Sequence, residues 1–256
     1  MDKKQLAGEI AKLLKKEHPK PKTELTHANE MQLAAAVMLT AQTTHKKVNQ
    51  ITPKLFNKYK EEAENEFPNF AERFTDDLLK EIKADSSPNT TQQKFAKEVG
   101  STEIILRESQ IDGIKSKLED REVLKDRVLR ILNSNFVKMT FPVFNALYDA
   151  AAEFSGTNDP QMRQNMVDGH IIAIDLSEPM DRIVDKDEDL DYLDDYKLMN
   201  PYILKLARDK ISKGGEEVLK EFEDGFKDAR LGQYIDTKLK TKPLTITEEE
   251  MNQCYK

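Results

Sequence analysis

The sequence predicts an all-α, multi-helix globular fold, and three observations carry that reading. Leu, Ile, Val and Phe recur at helical spacing along most of the 256 residues. Gly and Pro, which punctuate helices, number only 9 and 10. Strand character is confined to one short run, residues 171–176, which a short helix accommodates equally well. With 38% hydrophobic residues the chain is long enough for one large or two small domains with cores of their own, which excludes a peptide, a collagen-like chain or a repetitive linker.

In chain order, Leu6, Ile10, Leu13 and Leu14 fall on one face of a lysine-rich helix that stops before Pro19 and Pro21. Residues 30–40 hold Leu33, three alanines, Val37, Met38 and Leu39 with no polar face, so this helix is expected to be buried all round. Thr43 or Thr44 then caps a second helix through Val48 and Ile51, and Pro53 restarts the chain at a first-turn position. Phe67, Phe70, Phe74, Leu78, Leu79 and Ile82 suggest a helix broken at Pro68, with a turn cluster at 85–89. Residues 95–132 read as two or three charged amphipathic helices with a break near Asp112 and Gly113, and 137–154 as a more apolar helix ended by a loop at 156–160. An acidic segment, 185–195, precedes final helices interrupted at Gly214 and Gly215. The expected division is a helical region over 1–176 and an acidic, then helical, C-terminal region over 177–256.

The net charge of −7 conceals an asymmetry. Residues 1–60 carry 12 Lys against 5 acidic residues, a balance of +7, which leaves −14 for the remainder. Only the front has the charge to bind a phosphate backbone, and solvated helix faces with an uneven balance are the alternative source of the same numbers. No apolar run approaches the roughly 20 residues of a membrane span, and the first ten residues lack the apolar core and cleavage site of a secretory signal. The single cysteine, Cys254, closes no internal disulfide and cannot alone hold a zinc ion or an iron–sulfur cluster. The expectation is a cytoplasmic protein with no cofactor and no resident metal.

Two stretches carry chemistry. Residues 39–59, LTAQTTHKKVNQITPKLFNKY, follow the alanine-rich helix and are preceded by PKPKTEL at 19–25. Together they closely resemble the start of the endonuclease III family of DNA glycosylases. The second stretch, Val167–Asp168–Gly169–His170, resembles the Val-Asp-x-His signature around that family's catalytic aspartate. The resemblance implies a two-lobed helix-hairpin-helix fold and base excision from damaged double-stranded DNA. Gln42 would then be the wedge that enters the stack vacated by a flipped nucleotide, its amide offering both a donor and an acceptor to the orphaned base. Thr43, Thr44, Lys46 and Lys47 would be DNA contacts, and Asp168 the carboxylate that stabilises positive charge on the sugar as the glycosidic bond breaks. Asp beside Gly is also ordinary turn chemistry.

The chain departs from the family at three places. His45 stands where aspartate is usual. The best candidate for the hairpin, TFPVFNALY at 140–148, has Phe144 and Asn145 where small or basic residues belong, and Leu147 where the family has its nucleophilic lysine. The four cluster cysteines are absent. An imine-forming lyase step is therefore not expected, and hydrolysis assisted by a carboxylate alone remains. The alternative is a catalytically inactive helical scaffold, for DNA or for protein, that keeps only the family's N-terminal helices. Elsewhere, Asp185, Asp187 and Asp189 imitate a calcium loop, but Leu190 and Tyr196 replace its glycine and closing glutamate.

Overall fold

The computed structural model describes residues 44–100, 104–132, 137–156, 159–175 and 192–241, together with 22–27 and scattered positions between 12 and 40. The chain forms two compact units, Met1–Asn57 and Lys58–Lys256. Among the described residues the secondary structure is helical throughout: α1 (His45–Ala84), α2 (Pro88–Val99), α3 (Glu108–Leu118), α4 (Arg121–Leu132), α5 (Val137–Ser155), α6 (Pro160–Asp175), α7 (Leu193–Ile211), a 3₁₀ turn (Ser212–Gly214) and α8 (Glu216–Thr241). None of these helices is long and apolar enough to cross a membrane.

In the first unit, Leu25, Ala36 and Val48 form a small core with Leu33 against it. The segment at 22–27 is tied down by Asn49, whose Oδ1 accepts from Thr26 N at 2.7 Å while its Nδ2 donates to the Glu24 carbonyl at 2.7 Å. Thr44 caps α1, its hydroxyl accepting from Lys47 N at 3.3 Å. Val37 is 51% exposed, so the helix expected to be buried on every side has an open face.

The second unit holds the main core. Along α1, Phe70, Phe74, Leu78 and Ile82 recur every four residues and are buried. Phe70 stacks on Phe74 at 6.1 Å between ring centroids and meets Phe141 of α5 edge-on at 6.3 Å. That stripe holds α1 helical past Pro68, and α1 also runs unbroken through Pro53, contrary to the sequence expectation. An internal proline costs about 3 kcal/mol, whereas each fully buried aromatic or aliphatic side chain returns roughly 1.5–3 kcal/mol. The turn expected at 85–89 is present, with Asp85 Oδ1 accepting from Ser87 N at 2.7 Å before Pro88 opens α2. Gly100 closes α2 in the left-handed conformation at φ 71°. The break expected at Gly113 lies instead at Asp120, which caps α4 by accepting from Glu122 N at 2.9 Å. The strand alternative for 171–176 is overturned over its described residues, because Ile171 and Ile172 belong to α6 and are both fully buried.

Helix α7 is the centre of this unit, and polar clamps fix it from several sides. Gln92 of α2 donates to the Lys197 carbonyl while accepting from Leu106 N at 3.0 Å. Tyr202 donates to Asp85 at 2.9 Å. Burial works against ionisation of Asp85, but bonds from Thr91, Ser87 and Tyr202 prevail and hold its carboxyl below the ordinary value.

Helices α6 and α7 touch at Gly169, where an added Cβ would lie 2.7 Å from Ile211 Cγ1 and 3.3 Å from both the Ala207 carbonyl and Ile211 N. Two of those neighbours are backbone atoms, so a methyl group there must part the helices. Gly169→Ala is expected to lower stability by about 1–3 kcal/mol. Gly113→Ala, at an open helical position with nothing within 4 Å, is expected to raise it by up to about 1 kcal/mol. Urea denaturation followed by circular dichroism reads both.

Candidate active site

A cleft of about 490 Å³ opens where α1, α5 and α6 meet in the second unit. Helical spacing assembles it. On α1, Glu66 and Arg73 are seven residues apart and share a face, as do Phe141 and Asn145 on α5 and Gln164 and Asp168 on α6, each four apart. Of these, Glu66, Phe141, Asn145, Gln164 and Asp168 line the cleft. Asn145 is held by a bond from its Nδ2 to the Phe141 carbonyl at 2.9 Å.

Asp168 has a side chain only 5% exposed. Two cations approach it, Arg73 Nη2 at 3.6 Å and Lys210 Nζ at 3.9 Å. Each makes a shorter contact elsewhere: Arg73 Nη1 donates to Glu66 Oε1 at 2.7 Å, and Lys210 meets Asp77 Oδ2 at 3.1 Å. Gln164 satisfies both ends of its amide with its oxygen turned to Arg73, accepting from Nη2 at 2.5 Å and Nη1 at 3.3 Å. Burial therefore dominates at Asp168, and the carboxyl is pushed up to about 6 although Lys210 and Arg73 pull the other way. A carboxyl so placed exchanges a proton near neutral pH, as general acid–base chemistry requires.

The motif around Asp168 sits in the middle of α6 rather than in a turn. Val167 packs into the core beside it. His170 bonds through Nδ1 to the Met166 carbonyl at 2.7 Å and lies against the rings of Phe144 and Phe222, at 5.2 and 6.5 Å. The other sequence candidates belong to the first unit. Thr44, Lys46 and Lys47 gather exposed at the start of α1, and His45 Nδ1 stands 3.5 Å from Glu24. Gln42 and Thr43 lie outside the described residues. The hairpin candidate at 140–148 is overturned: it lies wholly within α5, with Pro142 inside the helix. Phe141, Pro142 and Asn145 bury one face, which stabilises continuous helix, while Leu147 is 51% exposed.

Sequence reading missed Glu66, Arg73, Gln164 and Lys210. Only Gln164 left a local signal, a polar residue one turn before Asp168 on the same helical face. The others come from helices remote in sequence.

Over 55 residues the chain is 44% identical to Endonuclease III of Rickettsia felis, a stretch covering 22% of this chain and 26% of that protein. It is also 44% identical over 57 residues to Endonuclease III of Synechocystis sp., with 22% and 26% covered. The chain thus spans about a quarter of the length of the curated relatives it matches. No family model matches the chain, and no solved structure matches it. The relationship to endonuclease III is partial.

Proposed function

We propose that the protein is a divergent endonuclease III-like DNA glycosylase of base excision repair that removes damaged pyrimidines from duplex DNA by hydrolysis. The observation that carries this reading is Asp168, a buried carboxyl lining an open cleft and titrating near 6. The partial match to two endonuclease III proteins supports it independently. In this mechanism Asp168 stabilises the cationic sugar as the bond from C1′ to the base breaks. Water adds at C1′ and gives one proton to the carboxylate, the departing base takes a proton from solvent, and the carboxyl returns its proton to solvent, so that the net step places OH on C1′ and H on the base. Gln42 fills the vacated stack, and Thr43, Thr44, Lys46 and Lys47 hold the phosphates. Helix α7 brings Lys210 Nζ to 3.9 Å from Asp168.

A second reading is favoured by one specific observation, the continuous helix that occupies 140–148 where a phosphate-binding hairpin was sought. On it the protein is an inactive helical scaffold that retains DNA or protein binding through its basic front. One assay separates the two. Incubated with duplex DNA carrying thymine glycol, the wild-type protein is expected to release the base and Asp168→Asn to release at least about 100-fold less. Borohydride is expected to trap no covalent adduct. Equal release by both proteins removes Asp168 from the reaction, and none by either refutes the glycosylase reading; none by either, with binding that weakens steeply between about 50 and 200 mM salt, supports a DNA-binding scaffold.

A further inference from the structure

Both cations that flank Asp168 are engaged by another carboxylate. Arg73 lies 2.7 Å from Glu66 but 3.6 Å from Asp168, and Lys210 lies 3.1 Å from Asp77 but 3.9 Å from Asp168. The pattern is ordered along α1: Glu66, Arg73 and Asp77 are spaced seven and then four residues apart, so one helical face presents acid, base, acid to the buried group. Gln164, on the helix of Asp168, takes up the remaining short contacts of the guanidinium. Those bonds leave Arg73 without the close, paired fork that carboxylates receive from arginine in a strong ion pair. Among the described residues, the charged groups around Asp168 are Glu66, Arg73 and Asp77 from α1, Lys210 from α7, and Arg163 on α6, whose Nε donates to Asp149 of α5 at 2.6 Å.

We propose that Glu66 and Asp77 are positioning residues for Asp168, which act by competing for Arg73 and Lys210 and so hold both cations just beyond hydrogen-bonding distance of its carboxylate. The carboxylate is thereby flanked by positive charge at 3.6 and 3.9 Å without a close ion pair to either cation, and it lines the cleft. This inference rests on Asp168 as the reacting group but not on the identity of the substrate. Glu66 is half-exposed, and its loss removes no buried group, so the substitution leaves the fold in place.

The test is the titration of Asp168 by carbon-13 NMR of the full chain without substrate, its signal assigned by its disappearance in Asp168→Asn. In Glu66→Gln the freed guanidinium closes on Asp168, and the midpoint is expected to fall by about 1 unit. Asp77→Asn should lower it in the same direction through Lys210. Loss of a nearby negative charge alone would also lower the midpoint, so the deciding comparison is made in an Arg73→Met background. There Glu66→Gln is expected to shift the midpoint by less than about a third of its effect in wild type. An undiminished shift in that background, or no shift in Glu66→Gln and Asp77→Asn, overturns the proposal. A glycosylase that fails on every lesion leaves this result intact, so the two readings fail separately.

Discussion

Asp195→Ala is expected to destabilise the protein by about 3–5 kcal/mol, the largest loss from any single truncation outside the apolar core. Asp195 lies in the first turn of α7 with a side chain only 4% exposed. Its oxygens accept from Lys117 Nζ at 3.0 and 2.7 Å and from Arg127 Nε at 2.7 Å. Removing the carboxylate leaves the two cations with different fates. Lys117 is 44% exposed and rehydrates, whereas Arg127, at 15%, stays largely buried with its Nε unpaired. Arg127 Nη1 keeps its contact with Asp126, so the orphaned Nε accounts for most of the expected cost. Tyr196, whose hydroxyl donates to the Arg127 carbonyl at 2.9 Å, ties the same turn of α7 to α4 independently of the carboxylate. Urea unfolding should show the loss as a shifted midpoint with an unchanged slope. Glu122→Ala, which removes a 3.3 Å contact to Arg121 from a side chain 78% exposed, should cost less than about 1 kcal/mol.

Asp168→Asn is expected to act in the opposite sense, raising stability above neutral pH while abolishing base release. In the folded chain the carboxyl titrates near 6, against an ordinary value of 3.8. The folded state therefore binds this proton more tightly than the unfolded chain does. Its contribution to stability is complete below about pH 3.8 and is lost as pH rises through 6. Above that, the wild-type protein carries an ionised buried group at a cost of up to about 3 kcal/mol, which an uncharged amide of the same shape avoids. The gain in midpoint for Asp168→Asn should be largest near pH 8 and should vanish by about pH 4. An equal gain at both ends would show that the gain does not come from ionisation, and a loss near pH 8 would show that the carboxylate is a structural partner of Arg73 and Lys210 instead. Stability given up at a cleft is characteristic of a reacting group.

The helices were legible because their signal is local. The stripe of Phe70, Phe74, Leu78 and Ile82, the cap at Thr44 and the glycine break after Ile211 each depend on neighbours within a few turns. What escaped was the work of tertiary packing. Pro53 and Pro68 read as breaks, yet α1 continues through both, and past Pro68 its buried face outweighs the lost hydrogen bonds. Gly169, the free position of the motif with turn chemistry as its alternative reading, lets two helices touch. Asp168 was visible as a motif, but its environment was not. Glu66 and Arg73 lie about a hundred residues before it and Lys210 more than forty after, with no periodicity joining them.

The placement of α7 has a consequence for how the chain folds. Its partners lie far upstream: Gln92 reaches Lys197 across 105 residues, Tyr202 reaches Asp85 across 117, and Arg208 reaches Glu98 across 110. During synthesis the earlier helices emerge before the one that unites them, so their apolar faces stay open until residue 211 has left the ribosome. Closure is a late, long-range event, and its loop entropy sets a slow rate for a helical protein. A chain halted before Leu193 is therefore a target for chaperones rather than a smaller folded domain.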